Sequence, residues 1–141
     1  DLTVTGVQTC ALPIWILSAD FISKYSGKIL NIHPSLLPKF PGLNTHQRAI
    51  DASEKKHGAS VHFVTEEVDG GPVIAQQSVN IDSTDNPQTL AKKVLEKEHI
   101  LYPQVIGWYT QGRLKLLNNK TVLLDRQSIW KNFFTLFYVF L

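Results

Sequence analysis

The stretch GASVHFVTEEVDGGPVIAQQSVNI, residues 58–81, contains two runs in which apolar and polar residues alternate, with DGG between them. Side chains two positions apart share one face of a β-strand, and Val61 and Phe63 have this spacing. The paired glycines favour a tight turn. The stretch therefore predicts two strands joined by a turn that contains Asp69.

Helix and strand signals alternate upstream of this pair. The segment ILSADFISKYSG, residues 16–27, has a serine near its start and a glycine at its end, which predicts a short helix. The segment KILNIH, residues 28–33, has the composition of a strand. A second helix is predicted over residues 44–53, with Asn44 or Thr45 as its cap.

Downstream, residues 82–87 have the composition of a loop. Apolar residues then recur at helical spacing over residues 88–111, which predicts an amphipathic helix kinked near Pro103. Asn118 and Asn119 indicate a hairpin turn. This order of elements predicts an α/β sheet domain that binds ligands at the carboxyl ends of its strands.

Composition sets the broad class of the protein. A length of 141 residues fits one domain. The net charge is +2 with scattered Lys and Arg, so the sequence has no electrostatic footprint for nucleic acid, although anionic small molecules stay compatible. No apolar run is long enough for a membrane span and no secretory signal is present, which favours the cytoplasm. The single Cys10 excludes an internal disulfide, and the sequence specifies no oligomeric state.

The sequence of the N-terminal segment suggests a foreign origin. VTGVQTCALPI, residues 4–14, resembles the translation of a common sequencing-library adapter at every codon. The alternative is a natural strand with a proline near its end. We therefore expect residues 1–14 to be foreign, with Trp15 at the junction and natural sequence from Ile16 onward.

Two polar residues share one face of the strand KILNIH. Asn31 and His33 are two positions apart, and Pro34 ends regular pairing directly after them. An amide donor beside an imidazole is suited to stabilising the oxyanion of an acyl transfer. A structural histidine whose hydrogen bonds are satisfied is an equally good interpretation of these two residues alone.

Asp69 is a candidate third partner. The glycines after it permit a tight turn and the close approach of a ligand. A carboxylate near His33 would favour the charged imidazolium and could relay a proton through water. An ordinary turn aspartate is the commoner role for an Asp followed by Gly.

Three stretches together resemble the glycinamide ribonucleotide formyltransferase family, folate-dependent enzymes of purine biosynthesis. They are LNIHPSLLPKFPGLNTHQRAI, GASVHFVTEEVDGGPVIAQQ and EKEHILYP, and the resemblance runs from about Ile16 to Leu117. It implies a Rossmann-like sheet with flanking helices, in which parallel strands leave an exposed edge. Residues 15–125 would be the C-terminal part of that domain, without the N-terminal half and its glycine-rich phosphate loop.

The resemblance also implies a set of site residues. Asn31, His33 and Asp69 would be catalytic, and Ser60 and His62 would support them. The positions that match substrate contacts are Glu98, Ile32 and Pro34 for the ribonucleotide and Leu17, Thr65, Glu66, Glu67 and Val68 for the folate. Ser60 could instead only satisfy backbone groups, and Glu98 could be a solvated helix residue. Trp15 stands where the family has an arginine.

The implied reaction is attack of the glycinamide amine on the formyl carbon of 10-formyltetrahydrofolate. Asn31 and protonated His33 would bond the oxyanion, an interaction whose removal typically costs about 10² to 10³ in rate. Asp69 would organise the water that moves the proton. No metal is required, and the five histidines lack the HExxH spacing of a metal site.

Two other functions fit the same residues. A hydrolase of this superfamily would release formate with water in place of the amine, although HPSLLPKFPG favours the transferase. A non-catalytic remnant is the other alternative, and we expect this chain alone to have little activity. The apolar segment 126–141 could be a buried closing segment, a frameshifted end or an exposed sticky patch, and its last nine residues are too few to span a bilayer.

Overall fold

A computed structural model describes residues 17–117 and 120–123, and its centre is an antiparallel sheet of three strands. The strands are β1 (Leu30–His33), β2 (Lys56–Phe63) and β3 (Val73–Asn80), in the order β1-β2-β3. The predicted strand pair is confirmed as β2 and β3, because the turn between them reverses the chain. The described pairs in this sheet are antiparallel, so the parallel arrangement expected above is not found within it.

Within residues 17–117 and 120–123, three helices accompany the sheet. They are α1 (Ala19–Lys24), α2 (Thr45–Asp51) and α3 (Pro87–Thr110). Helices and an open sheet confirm the predicted α/β class. The predicted loop 82–87 ends one residue early, because Pro87 begins α3 at a position where its missing N–H is not needed. The helix continues through Pro103 as far as Thr110.

The helix starts follow from their caps. Ser18 Oγ accepts a hydrogen bond from the Phe21 N–H at 3.3 Å, which starts α1 as predicted. At α3, the Asn86 side chain accepts from the Thr89 N–H while Thr89 Oγ1 accepts from the Asn86 N–H. This capping box satisfies two orphan donors. Asn44 precedes α2 in a left-handed conformation and makes no side-chain cap.

Strand β2 is buried on both of its faces. The apolar cluster on one face consists of Ala59, Val61 and Phe63 of β2, Leu90, Val94, Leu101 and Val105 of α3, and Leu114. On the other face, Ser60 and His62 are also buried. The alternation of β2 therefore separates an apolar core, packed on α3, from a polar face.

The C-terminal hairpin is confirmed. Strand β4 (Leu114–Leu117) pairs antiparallel with β5 (Lys120–Leu123), and the turn residues Asn118 and Asn119 lie outside the described residues. Residues 1–16 and 124–141, with the interpretations given to them, also lie outside. Within the described part of the chain, none of the helices is both long and apolar enough to cross a membrane.

Candidate active site

The polar face of the sheet gathers the predicted catalytic residues. Asn31 lies opposite His62, and His33 lies opposite Ser60, in the pairing of β1 with β2. The turn after β2 brings Asp69 to the same face, where its Oδ2 is 3.3 Å from His33 Nδ1. Both side chains are nearly buried, at 8% exposed for the histidine and 12% for the aspartate. The structure thus brings together groups that are 36 positions apart in the chain.

Asp69 is held in a conformation that few residues adopt. Its φ is 52°, in the left-handed region that Asp and Asn tolerate better than most side chains. Its Oδ2 accepts a hydrogen bond from the Gly42 N–H at 2.8 Å. The carboxylate therefore joins the DGG turn to the proline-rich loop after β1, and this contact distinguishes it from an ordinary turn aspartate.

Both ring nitrogens of His33 face oxygen acceptors. Nε2 donates to the Phe40 carbonyl at 2.9 Å, and Nδ1 faces Asp69. Phe40 itself has a φ of 56°, an uncommon conformation for an aromatic residue, and this directs its carbonyl at the imidazole. An imidazole with an acceptor at each nitrogen can carry two protons, which suits a group that stabilises negative charge.

His62 is an acceptor for Asn31. Its Nδ1 donates to the Phe63 carbonyl at 2.9 Å, and its Nε2 is 3.2 Å from Asn31 Nδ2. Burial lowers the pKa of His62, so the ring is neutral at physiological pH. Asn31 is thereby linked to the rest of the site through a neutral imidazole.

Ser60 contacts the loop after β1. Its Oγ donates to the Ser35 carbonyl at 2.6 Å and accepts from the Leu37 N–H at 3.0 Å. Gln76, directly opposite on β3, donates to the same Oγ at 2.8 Å. These bonds satisfy backbone groups and hold the loop that carries Phe40. The sequence did not indicate Gln76, since its role depends on the strand register.

The predicted ribonucleotide contacts lie in different surroundings. Glu98 is half-buried on α3, where burial raises the pKa of its carboxyl while His99 and His33 act in the opposite direction. Ile32 packs against the apolar core, so its side chain points away from Asn31 and His33. The Pro34 carbonyl accepts from Thr45 Oγ1 at 2.6 Å.

A cleft of about 590 Å³ lies between α1 and the loop that joins β2 to β3. Its lining consists of Ile22, Ser23, Ser26, Val64, Thr65, Glu66, Glu67, Gly70 and Pro72. Three of the predicted folate residues, Thr65, Glu66 and Glu67, are therefore brought together here. The other two, Leu17 and Val68, are exposed and do not line the cleft.

Two further histidines lie behind the proline-rich loop. The rings of His46 and His57 meet edge to face with centroids 5.2 Å apart. Each has one buried nitrogen for which the described part of the chain offers no hydrogen-bond partner. Burial, together with the neighbouring His46, lowers the pKa of His57 to about 4. Sequence patterns did not single out this pair, because its burial depends on the packing of the loop.

We expect the free energy of unfolding to fall as the pH is lowered from about 6.5 toward about 4. In this window the unfolded chain protonates His57 and the folded chain does not, which costs about 1.4 kcal/mol per pH unit. Above this window both forms are neutral and the effect vanishes. Urea unfolding at several pH values measures the slope.

The matched variants are His57→Gln and Val94→Ala. The first removes the titrating group, so the slope of the free energy of unfolding against pH should fall by the amount that corresponds to about one proton. The second creates a cavity in the core without a titrating group, so it should lower stability equally at every pH. If His57→Gln leaves the slope unchanged, His57 is not the group responsible for the loss of stability at low pH.

Comparison with known proteins identifies the family to which the chain belongs. The family model described as Formyl transferase matches residues 5–106, so the chain belongs to the formyl transferase family. Phosphoribosylglycinamide formyltransferase of Escherichia coli is 52% identical over 129 residues, covering 92% of this chain and 60% of that protein. The chain thus spans less than two thirds of the length of this relative. The resemblance found in the three sequence stretches is confirmed.

Solved structures show the same relationship. The phosphoribosylglycinamide formyltransferase of Coxiella burnetii superposes with a TM-score of 0.73 at 51% identity, covering 76% of this chain and 50% of that one. A formyltetrahydrofolate deformylase of Pseudomonas syringae has a TM-score of 0.75 at 30% identity, covering 79% and 38%. The transferase is the more similar of these two in sequence.

Proposed function

We propose that these residues form the catalytic part of an enzyme that transfers a formyl group from 10-formyltetrahydrofolate to the amine of glycinamide ribonucleotide, in purine biosynthesis. The observation that carries the proposal is the contact between His33 and Asp69, 3.3 Å apart, on the sheet face that also holds Asn31. The high identity to the Escherichia coli transferase supports this choice of substrate.

The mechanism assigns one role to each of these side chains. The amine nitrogen attacks the formyl carbon, and the formyl oxygen becomes negatively charged. The Asn31 amide donates a hydrogen bond to this oxyanion. Protonated His33 donates to it from Nδ1, the nitrogen that faces Asp69 before the substrates bind, since Nε2 is bonded to the Phe40 carbonyl. Asp69 accepts a hydrogen bond from a water molecule. This water takes the proton of the attacking amine and passes it to the folate nitrogen. The bond between the formyl carbon and the folate nitrogen then breaks as the oxyanion collapses to a carbonyl.

The substrates approach from two sides of the site. The cleft beside Thr65, Glu66 and Glu67 would hold the folate, with exposed Leu17 and Val68 at its edges. Glu98 would bind the ribonucleotide, close to His33, with backbone groups of Ile32 and Pro34. The chemistry needs no metal, and we place this reaction of two small molecules in the cytoplasm. We further propose that residues 15–125 are the formyltransferase portion of the chain.

A second candidate is hydrolysis of formyltetrahydrofolate. The similarity to the Pseudomonas syringae deformylase favours it, since hydrolysis would use the same three groups with water as the nucleophile. Identity is higher to the transferases than to this deformylase. We therefore keep the transferase as the main proposal.

A chimera tests the two activities together. Residues 15–117 of this chain replace the matching part of the Escherichia coli transferase, and the purified chimera and the chain alone are assayed with formyl folate, with and without glycinamide ribonucleotide. We expect formyl transfer by the chimera and little by the chain alone. Formate release that does not need the ribonucleotide would favour the deformylase, and a folded chimera with neither activity would support the remnant.

A further inference from the structure

The amide of Asn31 has two different ends, and only one of them can help in the proposed reaction. Its nitrogen donates hydrogen bonds, whereas its oxygen can only accept them. An amide turned by half a rotation would present oxygen to an oxyanion and repel it. The group that fixes the orientation of this amide therefore decides whether a donor or an acceptor faces the oxyanion. This inference rests on the proposed function.

The surroundings of His62 determine its tautomer. The ring is 2% exposed, and Nδ1 lies 2.9 Å from the Phe63 carbonyl, which can only accept. Nδ1 therefore carries the proton, and Nε2 keeps a lone pair. That lone pair faces Asn31 Nδ2 at 3.2 Å, in the directly paired position of the neighbouring strand. Only the nitrogen end of the amide can donate to it.

We propose that His62 is a positioning residue that holds the Asn31 amide with its nitrogen toward the reacting atoms. One N–H of the amide donates to His62 Nε2, and the other is left for the developing oxyanion. Asp69 Oδ1 lies 3.6 Å from the same Nε2. A proton on Nε2 would point at the N–H of Asn31 and repel it, and it would also attract the Asp69 carboxylate. With no proton on Nε2, His62 does not compete with His33 for Asp69.

Nuclear magnetic resonance of the complete, ¹⁵N-labelled 141-residue chain tests the assignment without any turnover. We expect His62 to show a protonated Nδ1 and an unprotonated Nε2, and a coupling across the hydrogen bond between Asn31 Nδ2 and His62 Nε2. His62→Leu should remove the coupling and shift the Asn31 amide signals. His62→Gln, whose Oε1 can accept from Asn31, should return those signals most of the way.

Three results would overturn the proposal. The first is a proton on His62 Nε2, and the second is an Asn31 amide that shows no coupling to His62. The third is a His62→Leu variant whose spectrum is that of a folded protein and whose Asn31 amide signals have not moved. If His62→Leu does not fold, the tautomer and the coupling in the unsubstituted chain decide the question. An inactive chimera combined with the expected signals would refute the proposed function and leave the orientation of Asn31 established.

Discussion

Asp69→Asn lowers kcat for formyl transfer by the chimera by about 10² or more, because the amide cannot organise a water that accepts a proton. The substitution keeps the size of the side chain and one oxygen that can accept from the Gly42 N–H. Asparagine also tolerates the φ of 52° found at this position. The loss should therefore appear in turnover and not in folding.

Steady-state kinetics with both substrates measures this effect, and thermal unfolding confirms that the variant folds. Asp51→Asn is the matched control, since it makes the same chemical change at an exposed position of α2. Its kcat should equal that of the parent chimera. Unchanged turnover in Asp69→Asn would remove Asp69 from the mechanism.

Gly71→Ala lowers the free energy of unfolding by about 3 kcal/mol or more, at or above the upper end of what overpacking usually costs. A Cβ at this position would lie 1.8 Å from the Phe63 carbonyl oxygen and 2.9 Å from its carbon. These are backbone atoms of β2, so no side chain can move aside. The strands β2 and β3 would have to separate where they enter the turn.

Urea unfolding of the complete chain compares Gly71→Ala with Gly107→Ala. Gly107 lies inside α3, and among the described residues no atom other than those of its chain neighbours and the nearby helix backbone lies within 4 Å of an added Cβ. Alanine there should raise stability by about 0.5 to 1 kcal/mol. Equal midpoints for Gly71→Ala and the unsubstituted chain would show that the close approach to Phe63 does not exist.

The local elements follow from the sequence because their signals are local. Alternation of apolar residues in residues 58–81 predicts strands β2 and β3, and apolar residues at helical spacing over residues 88–111 predict α3. The direction of strand pairing is different, since it depends on contacts between distant segments. The expectation of parallel strands came from family resemblance, and the described sheet is antiparallel.

In the candidate site, too, some features follow from local sequence and others depend on contacts between distant segments. A spacing of two places Asn31 and His33 on one face without any knowledge of the fold. Their contact with Asp69 requires the turn after β2 to fold back over the sheet. Phe40 and Gln76 could not be found, because one acts through a carbonyl in an uncommon backbone conformation and the other through strand register.

The two buried faces of β2 link the folding of the core to the geometry of the candidate site. A shift of its pairing by one residue would exchange the positions of Ser60 and His62 with those of Val61 and Phe63. The site and the core would be lost in the same event, since polar groups would face α3 and apolar groups would face Asp69. A misregistered molecule would therefore unfold rather than persist as a compact but inactive form, and cellular quality control could remove it.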